Sequence, residues 1–200
     1  HLCAAFAVFC LVLWTVFDIR RDRRSFLSDG TAAGKWARGL LVLVVVQIIY
    51  GAFVAGLDAG RIYPTWPLMN AQFMPDNVTA FESPWENFTH HKDGVQFIHR
   101  NFAWVVAAAI TWFGYANRRN AALKGGDRLL FGAVFVQITL GVLALITQVW
   151  ISLGVLHQLG ALLLLMAVLN VLHRTGRPLP TEAPGKPLHV AADAAGDRRQ

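Results

Sequence analysis

Five long apolar runs constrain this chain more than any other feature. In a window of about 19 residues they lie at Leu2 to Phe17, Gly39 to Leu57, Val95 to Ala116, Leu129 to Ile151 and Leu153 to Leu172. Each is long enough, or nearly so, to cross roughly 30 Å of hydrocarbon as a helix, and in lipid a helix satisfies its own backbone hydrogen bonds. Composition agrees: 55% of the residues are hydrophobic, 15% are charged, and the mean hydropathy is +0.43. That mix is too apolar for an ordinary soluble domain. The expectation is an all-α polytopic membrane protein with five transmembrane helices. A cleaved signal peptide does not suit the first run, which lacks a basic segment before it and a small-residue cleavage site after it, and which ends in "DIRRDRR". The chain opens on His1 rather than Met, so residues 1–19 are expected to be the last transmembrane helix of an earlier portion of a longer protein.

The formal net charge of +6 gains meaning from its distribution. Arg20, Arg21, Arg23, Arg24, Lys35 and Arg38 follow the first run; Arg118, Arg119, Lys124 and Arg128 lie between the third and fourth; five more basic residues follow the fifth. These segments fall on one side if every run crosses. The other side carries Arg61, Lys92 and Arg100 against five acids between Asp58 and Asp93. The positive-inside rule then places residues 20–38 in a cytoplasmic basic loop and loop 58–94 outside. The basic excess is a topology signal and points to no nucleic-acid partner. Cys3 and Cys10 are about 10 Å apart along a helix, too far to bridge, and have no metal-binding spacing.

Two internal likenesses suggest an architecture. "VVVQIIYGAFVA" (44–55) and "VFVQITLGVLAL" (134–145) share Val, Val, Gln, Ile and Gly at matching places, with Gln47 and Gln137 at similar depth. The fifth run reads "HQLGALLLLMAVL" from His157 and the first "HLCAAFAVFCLVL" from His1, each with Ala four residues on. Residues 39–173 are therefore expected to form a four-helix bundle of two hairpins, with the first run ending an earlier copy of that unit.

Histidines supply the chemistry. His99 and His157 each lie about four residues from the outer end of their runs, roughly 6 Å deep. Two imidazoles at one depth in a helix bundle can face each other, and a haem iron takes two opposed neutral nitrogens. Zinc or copper would need further donors, and no run offers Cys, Asp or Glu at that level. The alternative is that each histidine is polar glue between helices. Arg100 can pair with a haem propionate or snorkel to the headgroups. Gln96, Asn101 and Gln158 stand beside the pair as candidate hydrogen-bond partners. His173 and His189 have no partner on the inner halves of the other runs, so a second haem at that depth is unsupported.

Loop 58–94 is rich in Trp, Phe and Pro, which suits an aromatic cap at headgroup level over the histidines. His90 and His91 read as a solvated pair. Residues 174–200, rich in Pro, Ala and charge, read as a disordered cytoplasmic tail. GxGxxG, P-loop, HExxH and GxSxG motifs are all missing from the sequence, so the corresponding soluble-enzyme chemistries lack support.

With "VAGLDAGRIYPTWPLMN", "QFIHRNFAW" and "VLHQLGALLLL" in order along the chain, the sequence closely resembles the C-terminal half of the haem A synthase family of cytochrome oxidase assembly enzymes, in its alphaproteobacterial and mitochondrial type. The likeness runs from His1 to about Arg174. It implies an eight-helix protein of two four-helix repeats in the cell inner membrane, with loop 58–94 periplasmic. It implies that His99 and His157 are the axial ligands of haem b, and that His1 matches a histidine of the half that holds the substrate, haem O. The implied reaction oxidises the C8 methyl of haem O to a formyl group. Haem O synthase and an electron donor are implied as candidate partners, and a homo-oligomer as a candidate assembly. Pro64 stands where relatives often have Asn. The catalytic residues are expected before residue 1, so this stretch alone is expected to be inactive. The rival readings are a membrane b-type cytochrome that transfers electrons without making a product, and a membrane scaffold or transporter without haem.

Overall fold

The computed structural model describes the backbone of residues 2–180 and the side chains of residues 4–180. His1, the candidate ligand for the substrate haem, lies outside the described residues, as does the tail from residue 181. The chain is mainly helical: α1 (Leu2–Arg20), α2 (Ala32–Gly56), a short α3 (Pro84–Thr89), α4 (Lys92–Ala116), α5 (Gly126–Ile146) and α6 (Ile151–Arg174). Of these, α2, α5 and α6 are long and apolar enough to cross a membrane. Helix α4 has the length, but Lys92, Asp93, Gln96, His99, Arg100 and Asn101 dilute its first turns.

Local chemistry explains where the helices begin and end. Helix α2 starts seven residues before its apolar run, because the Thr31 hydroxyl accepts from the Gly34 N–H at 3.0 Å and caps the first turn. Helix α5 stops five residues before its apolar run does. Gln148 and Val149 take φ of 53° and 60°, and the Val149 N–H donates to the Ala144 carbonyl at 2.7 Å. A left-handed β-branched residue is costly, and here it turns the chain tightly into α6.

Helix α2 packs on α4, α4 on α5, α5 on α6 and α6 back on α2, while α1 lies mainly along α6. The loop 57–91 joins α2 to α4 at one end of this array. The opposite end carries a feature absent from the sequence reading: β1 (Arg24–Ser28) pairs antiparallel with β2 (Gly176–Pro178). Part of the presumed basic loop is thus a strand, and residues 176–178, assigned by composition to a disordered tail, are held by backbone hydrogen bonds to it. The Leu179 N–H also donates to the Arg23 carbonyl at 3.1 Å. A pairing across some 150 residues leaves no local signature for composition to detect.

The buried side chains divide the helices lengthwise. On α2, α4, α5 and α6 the buried hydrophobic residues include Leu40, Val44, Ile110, Leu130, Val168 and Leu172. Apart from Val95 and Ala144, all of those on the four helices lie toward the strand end from Gln47, His99, Gln137 and His157. Toward the loop these helices thus bury few apolar side chains. The outward faces are apolar: Leu11 is 70% and Phe135 71% exposed, which suits lipid rather than water around the helices.

Candidate functional site

Both candidate ligands stand on the loop half of the helices, each half-buried and each served by the helix next to it. His99 projects from α4 toward α2. The Gln47 amide nitrogen lies 3.2 Å from its Nδ1 and donates to its backbone carbonyl at 3.0 Å. One turn along α2, Gly51 leaves the space into which the imidazole fits: a Cβ there would lie 3.2 Å from Cε1 of His99. The second hairpin repeats the arrangement. On α6, His157 has Gln137 of α5 at 3.4 Å from its Nε2, and a Cβ on Gly141 would lie 2.9 Å from its Cε1.

The shared Gln and Gly of the internal repeat are therefore the residues that touch the histidines. Spacing of i and i+4 puts both on one helix face. The sequence reading used Gln47 and Gln137 as markers of depth and gave the flanking role to Gln96, Asn101 and Gln158. Those three do other things. Gln96, 1% exposed, donates to the Tyr63 carbonyl at 3.4 Å. Asn101 bonds back to the Phe97 carbonyl within its own helix at 2.9 Å, and Gln158 is exposed. The repeat was the available signal for the true neighbours.

These surroundings fit a haem iron between two histidines. Oε1 of Gln47, Oε1 of Gln137 and Nδ1 of His157 are buried without hydrogen-bond partners, a costly condition that a bound group could relieve. The glycines leave room for the rings, and few apolar side chains are buried in the loop half of the helices. Among the described residues no three His, Cys, Asp or Glu side chains gather as a metal site, so two nitrogens are what the described residues offer a metal here.

Arg100 sits one residue beyond His99 and reaches up rather than in. Its guanidinium donates to the carbonyls of Tyr63 (3.3 Å), Thr65 (2.8 Å), Pro67 (3.2 Å) and Leu68 (3.2 Å). It thereby fastens the loop to α4, and among the described residues it has no carboxylate partner. Trp66 and Phe73 of the loop meet Trp104 and Phe97 of α4 while remaining exposed on their other faces. Phe73 is 69% and Trp85 71% exposed, whereas Met69, Val78 and Asn87 are buried. The Asn87 side chain accepts from the Phe81 N–H at 2.9 Å and donates to its carbonyl at 2.7 Å. His91 is not solvated: it meets Asp93 at 3.3 Å and stands edge-on to Phe81. The other oxygen of Asp93 accepts from the Tyr63 hydroxyl at 2.6 Å. His90 is exposed and bonds to Thr89.

At the strand end His173, 1% exposed, has a structural partner. Its Nε2 lies 2.8 Å from Oδ1 of Asp18, and Trp14 and Phe17 pack against its ring. An apolar recess of about 340 Å³ between α1 and α6, lined by Phe6, Phe9, Leu159 and Leu162 among others, includes neither candidate ligand.

Comparison with known proteins follows the same lines. The sequence model of a family described as cytochrome oxidase assembly protein matches residues 1–169. The haem A synthase of Flavobacterium psychrophilum is 38% identical over 180 residues, covering 87% of this chain and 52% of that protein. That of Caulobacter vibrioides is 38% identical over 182 residues (89% and 52%), and that of Paracoccus denitrificans 32% over 191 (92% and 50%). The chain thus spans about half the length of the curated relatives it matches. No solved structure matches it. With a family match over most of its length, the chain belongs to the cytochrome oxidase assembly protein family.

Proposed function

We propose that this chain is the haem b-binding half of a haem A synthase, with α2, α4, α5 and α6 forming a four-helix bundle that holds the haem between His99 and His157. The observation that carries the reading is the duplicated Gln–Gly–His arrangement, Gln47, Gly51 and His99 against Gln137, Gly141 and His157. It stands in the half of the helices where few apolar side chains are buried. With α1 and α4 added to the three apolar spans, five helices cross the cell inner membrane. The basic segments, β1 included, lie in the cytoplasm and loop 58–94 lies in the periplasm, in accord with the positive-inside rule. The whole protein oxidises the C8 methyl of haem O to a formyl group, a change that takes up one water oxygen and releases four electrons and four protons to an acceptor.

Haem held by two histidines has no open position and supplies one-electron chemistry. The chain's own residues hold and shelter it. His99 and His157 offer neutral nitrogens, and Gly51 and Gly141 admit the rings. Among the described residues Arg100 has no carboxylate partner, so its charge is available to a propionate while its N–H groups tie down the loop. His1 is the candidate ligand for haem O in the preceding half, where the catalytic residues also belong.

The test is mass-spectrometric identification of haems extracted from cells that make haem O and carry the complete gene. Haem A, missing with an empty vector, together with haem b lost on His99→Ala or His157→Ala, is the expected result. Bound haem b without haem A, in cells shown to contain haem O, would establish a b-type cytochrome instead. Unchanged haem b in both variants would overturn the ligand assignment.

A further inference from the structure

We propose that Gln47, and Gln137 by the same repeat, are positioning residues for the axial histidines, each accepting through its amide oxygen the N–H that an iron-bound imidazole turns away from the metal. This rests on the reading that His99 and His157 hold haem. A neutral imidazole has one nitrogen with a lone pair and one with a proton. When iron takes the first, the second must donate, and metal-bound histidines are oriented by the acceptor they find.

Around His99 the geometry is explicit. The nitrogen that faces Gln47 is Nδ1, at 3.2 Å from the amide, which leaves Nε2 for the metal. Before iron arrives, the amide nitrogen donates and Nδ1 accepts. With iron on Nε2 the ring proton would sit on Nδ1, and the amide would have to present its oxygen. That oxygen is buried and unpaired, and rotation of the terminal amide exchanges the two ends. The rotation gives up the bond from Gln47 to the His99 carbonyl, but that carbonyl lies within α4 and keeps its place in the helix ladder. Within the described residues no other polar side chain is hydrogen-bonded to His99. Gln137 stands at the matching place on α5 with its Oε1 equally buried and unpaired; it faces Nε2 of His157 at 3.4 Å, so on this ring it is Nδ1, buried without a partner, that is left for the metal.

The experiment uses the complete protein, purified in detergent with its bound haem. Reduction midpoint potential and the low-temperature electron paramagnetic resonance spectrum are measured for wild type, Gln47→Leu and Gln47→Glu. Removing the acceptor makes the imidazole a poorer electron donor, so Gln47→Leu raises the potential and weakens haem retention about 10- to 100-fold. Gln47→Glu, nearly isosteric and a stronger acceptor, lowers the potential and keeps the haem. If Gln47→Leu does not accumulate, the direction of the shift in Gln47→Glu still decides. Potentials and spectra equal to wild type in the variants that retain haem would reduce Gln47 to interhelical glue and overturn the proposal, leaving the haem site intact. Haem content that survives His99→Ala would overturn the underlying site instead.

Discussion

Replacing glycine by alanine at four positions on two helices separates the role of the site from that of the helix. Gly39 and Gly51 both lie in α2, and Gly132 and Gly141 both lie in α5. A Cβ at Gly39 or Gly132 meets nothing within 4 Å, so alanine there recovers the helix preference of about 1 kcal/mol. At Gly141 the added carbon would stand 2.9 Å from Cε1 and 3.3 Å from Nδ1 of His157. Ordinary carbon contacts begin near about 3.5 Å, so the imidazole would have to retreat by roughly 0.6 Å. Overpacking of that kind costs about 1–3 kcal/mol, which cancels or outweighs the helix gain. At Gly51 the corresponding separation is 3.2 Å, and the penalty should be smaller. The expected order of stability is therefore Gly132→Ala and Gly39→Ala above wild type, then Gly51→Ala, with Gly141→Ala lowest. Haem occupancy should fall in the last two alone, since a ligand held to within about 0.5 Å tolerates little displacement. Thermal unfolding in detergent and haem absorbance per protein measure both quantities. A Gly141→Ala variant as stable as Gly132→Ala, with full haem and an unchanged spectrum, would refute the claim that this glycine exists to admit the ring.

Three further outcomes are expected. Asp18→Asn or His173→Ala should lower the unfolding temperature, because a buried hydrogen bond at 2.8 Å is lost at a cost of about 1–3 kcal/mol; the haem spectrum should not move, since this contact joins α1 to α6 at the far end from His99. Arg100→Gln should loosen the four loop carbonyls and speed proteolysis between Tyr63 and Leu68; unchanged cleavage would show that Met69 and Val78 suffice to hold the loop. Burial and the hydrogen bond to Asp93 push the Tyr63 phenol up to about 12. The folded state thus favours the neutral phenol, and the stability this contributes is intact below the ordinary tyrosine value near pH 10 and lost as pH rises toward 12. In an ultraviolet titration Tyr63→Phe should remove a phenol that ionises above the ordinary value near pH 10; an unchanged high-pH step in the variant would contradict this environment.

Much of the site could be read from residues alone, because membrane helices announce themselves through apolar length and because histidine is rare and costly at that depth. His99, His157 and the Gln–Gly repeat were all visible in the sequence. Their connection was not, since Gln47 is 52 residues from His99 and a repeat says which positions correspond without saying what they touch. Asn101 shows the converse: nearness in sequence to a candidate ligand suggested partnership, yet its side chain turns back to its own helix.

Taken by itself, the sequence determined the helical membrane class and the pair of candidate ligands. Those follow from hydropathy, charge and residue chemistry, which act locally along the chain. Tertiary structure alone decided that Gln47 and Gln137 meet the histidines, that Gly51 and Gly141 make room for them, that Arg100 serves the loop, that Asp18 claims His173 and that β1 pairs with β2. Each of these is a contact between distant segments, selected by how side chains of given volume and hydrogen-bonding capacity fit together once the helices pack.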